Sequence, residues 1–178
     1  MNRKPPLSWQ TIALHWITGS TFIAIFIIGL YMVDLPRGPE KGEWVRLHQS
    51  IGPLFLIIAS IRLFWRIKEG SINPLSVIPQ WQEKLSHFIH VLLLASTIVM
   101  PISGIAMTIG GGRDLKIFEW VILTAENKIP LLQDLGYLTH QITANIIIIA
   151  LIFHIIGALK HQILNKDHTL SRMFGYQR

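Results

Sequence analysis

Leu135 to Leu164 reads LGYLTHQITANIIIIALIFHIIGALKHQIL, and no Asp or Glu interrupts it. A bilayer's hydrocarbon core is about 30 Å thick and takes about 20 mostly apolar residues of helix to cross. The stretch therefore predicts a transmembrane helix. It also carries His140 and His154, fourteen residues apart. At 1.5 Å and 3.6 residues per turn, that spacing is about 21 Å along the axis and close to four turns. Both imidazoles thus lie on one face, at two different depths.

Working outward, three more apolar runs are long enough to span: Thr11 to Val33, Leu47 to Ile67 with Pro53 inside it, and Leu85 to Ile109 with Pro101 in its second half. The third run stops at Gly110-Gly111-Gly112. Of the 178 residues 51% are hydrophobic and 15% charged, and mean hydropathy is +0.44. Such a composition suits a bilayer better than a soluble core. The expectation is an all-α, integral membrane four-helix bundle, one domain over residues 1–178, with little chain left for anything else. The first run is too long for a signal peptide and has no small-residue cleavage site after it, so it is read as a retained helix. The join from Gly110 to Asp134 is the longest connector. Within it, Leu115 to Thr124 alternates apolar and polar residues and is expected to lie on the membrane surface, with Trp120 at the interface.

The net charge of +6 and pI near 9.9 do not indicate nucleic acid, because the basic residues cluster at the ends of apolar runs and form no run with interleaved aromatics. Ten of the sixteen basic residues fall on one side, Arg3, Lys4, Arg62, Arg66, Lys68, Lys84, Lys160, Lys166, Arg172 and Arg178. The other side holds Arg37, Lys41, Arg46, Arg113, Lys116 and Lys128, diluted by seven acids. The excess places both termini in the cytoplasm and the joins after helices one and three in the periplasm.

Eight histidines are present, and only His168 lies clearly outside the apolar runs. Ionisable groups inside a membrane are costly and are functional candidates by default. His48 and His140 sit near the periplasmic face; His15 and His154 match each other near the cytoplasmic face. Depth thus sorts four of them into two pairs, and helix four contributes to both. A histidine pair at each depth points to haem iron held between imidazoles. Gly19, Gly52, Ala144 and Ala158 each lie four residues after a proposed ligand, where a small side chain leaves room for a flat macrocycle. Zinc or di-iron sites in bundles usually add carboxylates, which the runs lack. No cysteine is present, which excludes thiolate-ligated haem, cysteine-bound clusters and covalent haem attachment. His87, His90 and His161 converge at the cytoplasmic depth with Lys84 nearby. They are candidates to surround a quinone or the haem propionates, as against plain contact with water and headgroups. Arg46, Arg113 and Lys116 are candidates to steer a small anion toward the periplasmic pair.

The chain resembles the bacterial cytochrome b561 family, including its superoxide oxidase branch. The resemblance covers nearly the whole chain. It rests on His15-Trp16, His48 with Gly52, His87-x-x-His90, and His140, His154 and His161 followed by Lys166-Asp167-His168-Thr169-Leu170-x-Arg172-Met173. It implies two haem b groups on the same four histidines, a ubiquinone position at His161, and residence in the bacterial inner membrane. It also implies electron flow from periplasmic superoxide to ubiquinone. Other readings stay open: a membrane subunit linking quinone to a separate dehydrogenase or hydrogenase, a haem-free histidine-relay transporter, and a purely structural bundle. The sequence identifies no protein partner.

Overall fold

A computed structural model describes residues 6–70, 72 and 75–176. Arg3, Lys4 and Arg178, which enter the orientation argument, lie outside the described residues, as do Asn73 and Pro74 of the second join.

The long elements are α1 (Trp9–Asp34), α2 (Pro39–Glu69), α3 (Gln80–Gly110) and α4 (Pro130–Lys160). A π-helical turn, His161–Asn165, continues α4, and a short helix, α5 (Thr169–Arg172), follows. Four helices are long and apolar enough to cross a membrane, so the chain is a multi-pass membrane protein. Each helix starts or ends where local chemistry dictates. Ser8 Oγ accepts from the Thr11 amide and caps α1. Pro39 and Pro130 open α2 and α4, where a missing N–H costs nothing. Gly70, at φ 77°, closes α2. α2 starts eight residues before the apolar run does, because its first two turns carry Glu40, Lys41 and Glu43 and lie outside hydropathy's reach. Its 31 residues make about 46 Å of helix, so its ends pass beyond the hydrocarbon or the helix tilts.

Successive helices pack against one another, α1 on α2, α2 on α3 and α3 on α4. The closest approach is α3 to α4. A Cβ on Gly136 would lie 2.7 Å from the Met107 amide nitrogen, and one on Gly110 would lie 2.4 Å from that of Gln133. Glycine at both positions is what lets the two backbones meet. α1 and α4 do not close on each other in this way, so a seam runs between them. At one end of the bundle α5 bridges it: Trp16 Nε1 donates to the Met173 carbonyl at 2.7 Å, and Trp16 stacks on Phe174 at 4.7 Å.

The core sits at mid-depth. Phe22, Phe55, Ala59 and Ile147 are buried together, with the Phe22 and Phe55 rings 5.6 Å apart. Elsewhere the outer faces expose Ile27, Ile61, Phe64, Ile149 and Ile156, as a lipid-covered surface requires.

The long join departs from the expectation. Leu115–Ile117 (β1) and Trp120–Leu123 (β2) pair as an antiparallel hairpin, so the protein is not wholly α. The segment is too short for a stable surface helix and rich in β-branched and aromatic residues, and Phe118 turns the chain at φ 54°. Every β2 side chain is exposed, with Trp120 among them. The Phe118 amide donates to Ser50 Oγ at 3.1 Å, which ties the hairpin to α2.

Candidate functional site

α4 presents His140 and His154 to two different neighbours. His140 faces His48 of α2, ring centres 6.3 Å apart; His154 faces His15 of α1, ring centres 6.2 Å apart. The planes are inclined at 80° and 52°. Two imidazoles joined by a direct N–H···N bond would have centres about 5.1 Å apart. Two imidazoles on opposite faces of one metal, with bonds of about 2.0 Å, would have centres about 6.3 Å apart. Both pairs match the second distance.

The His48–His140 pair is held by close packing. A Cβ on Gly29 would meet His48 Cε1 at 3.2 Å, and one on Gly104 would meet His140 Cε1 at 3.5 Å. Glycine on α1 and on α3 thus lets each ring seat against a neighbouring backbone. His140 Nδ1 lies 3.2 Å from the Met100 carbonyl and 3.0 Å from Ser103 Oγ. With its Nδ1–H on Met100, the ring keeps Nε2 free for a metal. His48 Nδ1 is buried without a well-formed hydrogen bond, and the Ile25 carbonyl is the acceptor it faces.

The His15–His154 pair has charged company. Arg62 Nη2 lies 3.1 Å from His15 Nδ1, and the His90 ring meets His154 edge-on at 5.2 Å. His90 Nδ1 is 2.7 Å from the Ser86 carbonyl. Thr18, fully buried one turn after His15, has an unpartnered Oγ1. No carboxylate stands within ion-pair distance of Arg62 among the described residues.

His161 lies two turns beyond His154, in the π turn, with Nδ1 at 2.5 Å from Asp167 Oδ2. His87 and Lys84 are exposed near the start of α3. The structure therefore brings His90 to the His15–His154 pair and turns His161 toward the C-terminal loop; His87 and Lys84 remain at the surface. At the opposite end a recess of about 70 Å³ is lined by Arg46, Gln49, Ser50, Thr108, Asp114, Leu115, Lys116 and Phe118. Gln49 and Ser50 of its lining follow His48 in the chain. Arg113 is not part of its lining.

Sequence reading missed Arg62, Gly29, Gly104 and Ser103. Arg62 is legible as a cation inside an apolar run. The other three act from helices that do not carry the ring they touch.

A membrane bundle with two half-buried histidine pairs at separate depths is the architecture of a b-type cytochrome. The sequence profile of the prokaryotic cytochrome b561 family matches residues 7–176, and the chain belongs to that family. It is 28% identical to cytochrome b561 homolog 2 of Escherichia coli K12 over 92% of this chain and 88% of that protein. It is 26% identical to cytochrome b561 homolog 1 of the same organism, over 97% of each. A probable superoxide oxidase CybB of Yersinia pestis is 25% identical over 94% of each.

Family membership implies membrane electron transfer with haem b. The residues present fit that group, provided that Arg62, which can only donate, gives up its contact with His15 Nδ1 so that Nε2 is free for a metal. The ring separations suit one iron per pair, and the pairs join helices whose backbones do not close on each other. A Cβ on Gly19 or Gly52 would meet nothing within 4 Å, which leaves space beside His15 and His48.

Proposed function

We propose that this chain is a di-haem cytochrome b of the bacterial inner membrane. It would pass electrons from superoxide at the periplasmic end to ubiquinone at the cytoplasmic end. The observation that carries the reading is the pair of histidine–histidine separations, 6.3 Å and 6.2 Å, one toward each end of the bundle.

His48 and His140 would hold the haem nearer the hairpin, and His15 and His154 the haem nearer the termini. Bound haem supplies one-electron exchange, and two imidazoles per iron leave no open position for oxygen. The protein's own work is then placement and charge. The Met100 carbonyl and Gly104 fix the His140 ring. The Arg62 guanidinium gives the cytoplasmic-end pair a positive neighbour, which favours the reduced state and suits a haem carboxylate.

Superoxide is a small anion. The recess beside His48, with Arg46 and Lys116 in its lining, has room for one and the charge to attract it, with Asp114 limiting the field. The similarity to a probable superoxide oxidase supports this donor. Quinone reduction takes two electrons and two protons. His161 would meet the quinone head at the cytoplasmic end, with His90, His87 and Lys84 on the same side. The positive-inside count supports this orientation.

The test is purification in mild detergent, haem per chain, and rapid mixing with superoxide or ubiquinol. The reading expects two b-type haems, reduction by superoxide, and reoxidation by ubiquinone. One haem would remove one histidine pair. No haem, from cells with adequate haem supply, would remove the proposal and favour a histidine-relay transporter. Two haems reduced by ubiquinol but not by superoxide would point to a subunit serving another enzyme.

A further inference from the structure

The C-terminal loop contains a hydrogen-bonded group that electron transfer between the histidine pairs does not use. Asp167 is its centre. Oδ2 lies 2.5 Å from His161 Nδ1 and accepts from Ser76 Oγ at 2.6 Å. Oδ1 accepts from the Thr169 amide at 3.1 Å and from Thr169 Oγ1 at 2.7 Å. Ser76 comes from the join between α2 and α3, so the carboxylate ties three parts of the chain together.

The backbone is bent to make this contact. Lys166 and His168, on either side of Asp167, sit at φ 51° and 62°. Left-handed backbone is disfavoured for residues that carry a Cβ and persists only where other contacts hold it. His161 opens a π turn, which offsets its side chain from the register of α4. Two disfavoured residues and a widened turn together aim one carboxylate back at one imidazole.

We propose that Asp167 is a positioning residue for proton delivery: it holds His161 with Nδ1–H on the carboxylate, so that Nε2 is the atom that gives a proton to a reduced quinone. This rests on the reading of His161 as a quinone residue. Electrons arrive one at a time through the family's electron-transfer activity. As the second reduces the quinone, the Nε2–H bond of the His161 imidazolium breaks and a quinol O–H bond forms. The neutral imidazole regains its proton at Nε2 from water at that end of the bundle, and a second transfer by the same route completes the quinol. Asp167 stays a carboxylate throughout and stabilises the charged ring. Partial burial pushes its carboxyl up, but hydrogen bonds from Ser76, His161 and Thr169 outweigh burial and hold it well below the usual carboxylate range.

The elements packed against the π turn carry few competing charges at this end. They are His154 and Lys160 of α4, Lys166 and His168 of the loop, and Arg172 of α5. Lys160 is turned to Gln82, with Nζ donating to Oε1 at 2.9 Å. Among the described residues, Asp167 is thus the one carboxylate within ion-pair distance of His161.

The experiment uses the haem-loaded protein in nanodiscs and follows two half-reactions, donor-driven haem reduction and ubiquinone-driven reoxidation. Asp167→Asn is expected to keep haem content and the first half-reaction. Reoxidation should fall ten-fold or more, because the ring is no longer held with Nε2 toward the quinone. Asp167→Glu should recover part of the loss. Unchanged reoxidation in Asp167→Asn, with reoxidation lost in His161→Gln, would overturn this proposal and leave the quinone reading intact. Unchanged reoxidation in His161→Gln would overturn the quinone reading itself. A second measurement needs no variant. Nitrogen-15 NMR of histidine in the wild-type protein should find Nδ1 of His161 protonated from pH 6 to 8; a ring with Nδ1 bare would overturn the proposal by itself.

Discussion

The two histidine pairs have nearly the same ring separation and very different surroundings. At the hairpin end, His48 and His140 are packed against glycine backbones, and the hydrogen bonds offered to His140 are neutral. At the terminal end, His15 and His154 stand beside a guanidinium and a third imidazole. One environment restrains geometry; the other supplies charge. The same histidine pairing therefore meets two environments, and the neighbours rather than the paired rings distinguish them.

The comparison can be broken most directly at the ligands. His140→Ala is expected to lower haem from two per chain to one, measured by pyridine haemochrome against protein. The surviving spectrum should be that of the terminal-end pair, and His154→Ala should give the converse. If both variants lost both haems, the pairs would not be separable.

A smaller effect sharpens the packing side. Gly104→Val brings branched carbons against a ring that a Cβ alone would approach to 3.5 Å. Overpacking of this kind costs about 1–3 kcal/mol. The expected result is partial loss of the hairpin-end haem and a thermal midpoint lower by several degrees, with the terminal-end haem unaltered.

On the charged side, Arg62→Gln removes a full positive charge close to His15. With an effective dielectric of about 20, that lowers the midpoint potential of the nearer haem by on the order of 50 to 100 mV. A spectroelectrochemical titration would resolve it, and a shift of both haems by equal amounts would contradict a local effect.

The smallest expected change concerns pH. Asp167 is depressed below the ordinary carboxylate range, so its hold on the C-terminal loop is fully present above about pH 4. That hold is lost only as pH falls from there toward the folded-state value. Hydrogen exchange over residues 166–176 should be flat from pH 8 to 5, after correction for intrinsic rates, and should rise below about pH 4.

The spans and the pairing of His48 with His140 and His15 with His154 were legible because they follow from two periodicities, hydropathy over about 20 residues and 3.6 residues per turn. The hairpin was not, since ten residues of mixed alternation read equally as a surface helix or two short strands. The early start of α2 was hidden because its first turns are charged. Gly29 and Gly104 could not be assigned to their rings, because each touches a histidine on another helix and sequence separation carries no sign of it. Asp167 stood in the family stretch as one acid among basic neighbours, and only the backbone turn at Lys166 and His168 reveals where it points.

The buried cluster at mid-depth has a consequence of its own. Phe22 lies seven residues after His15, Phe55 seven after His48, and Ile147 midway between His140 and His154. These side chains form an apolar layer between the two pairs, flanked by the buried hydroxyls of Thr18, Ser96, Thr97 and Thr143. Such a layer acts as the dielectric of a capacitor, a low-polarity gap between the two ends of the bundle. Each electron crossing from the hairpin end would move charge across that gap and add to the voltage across the bilayer.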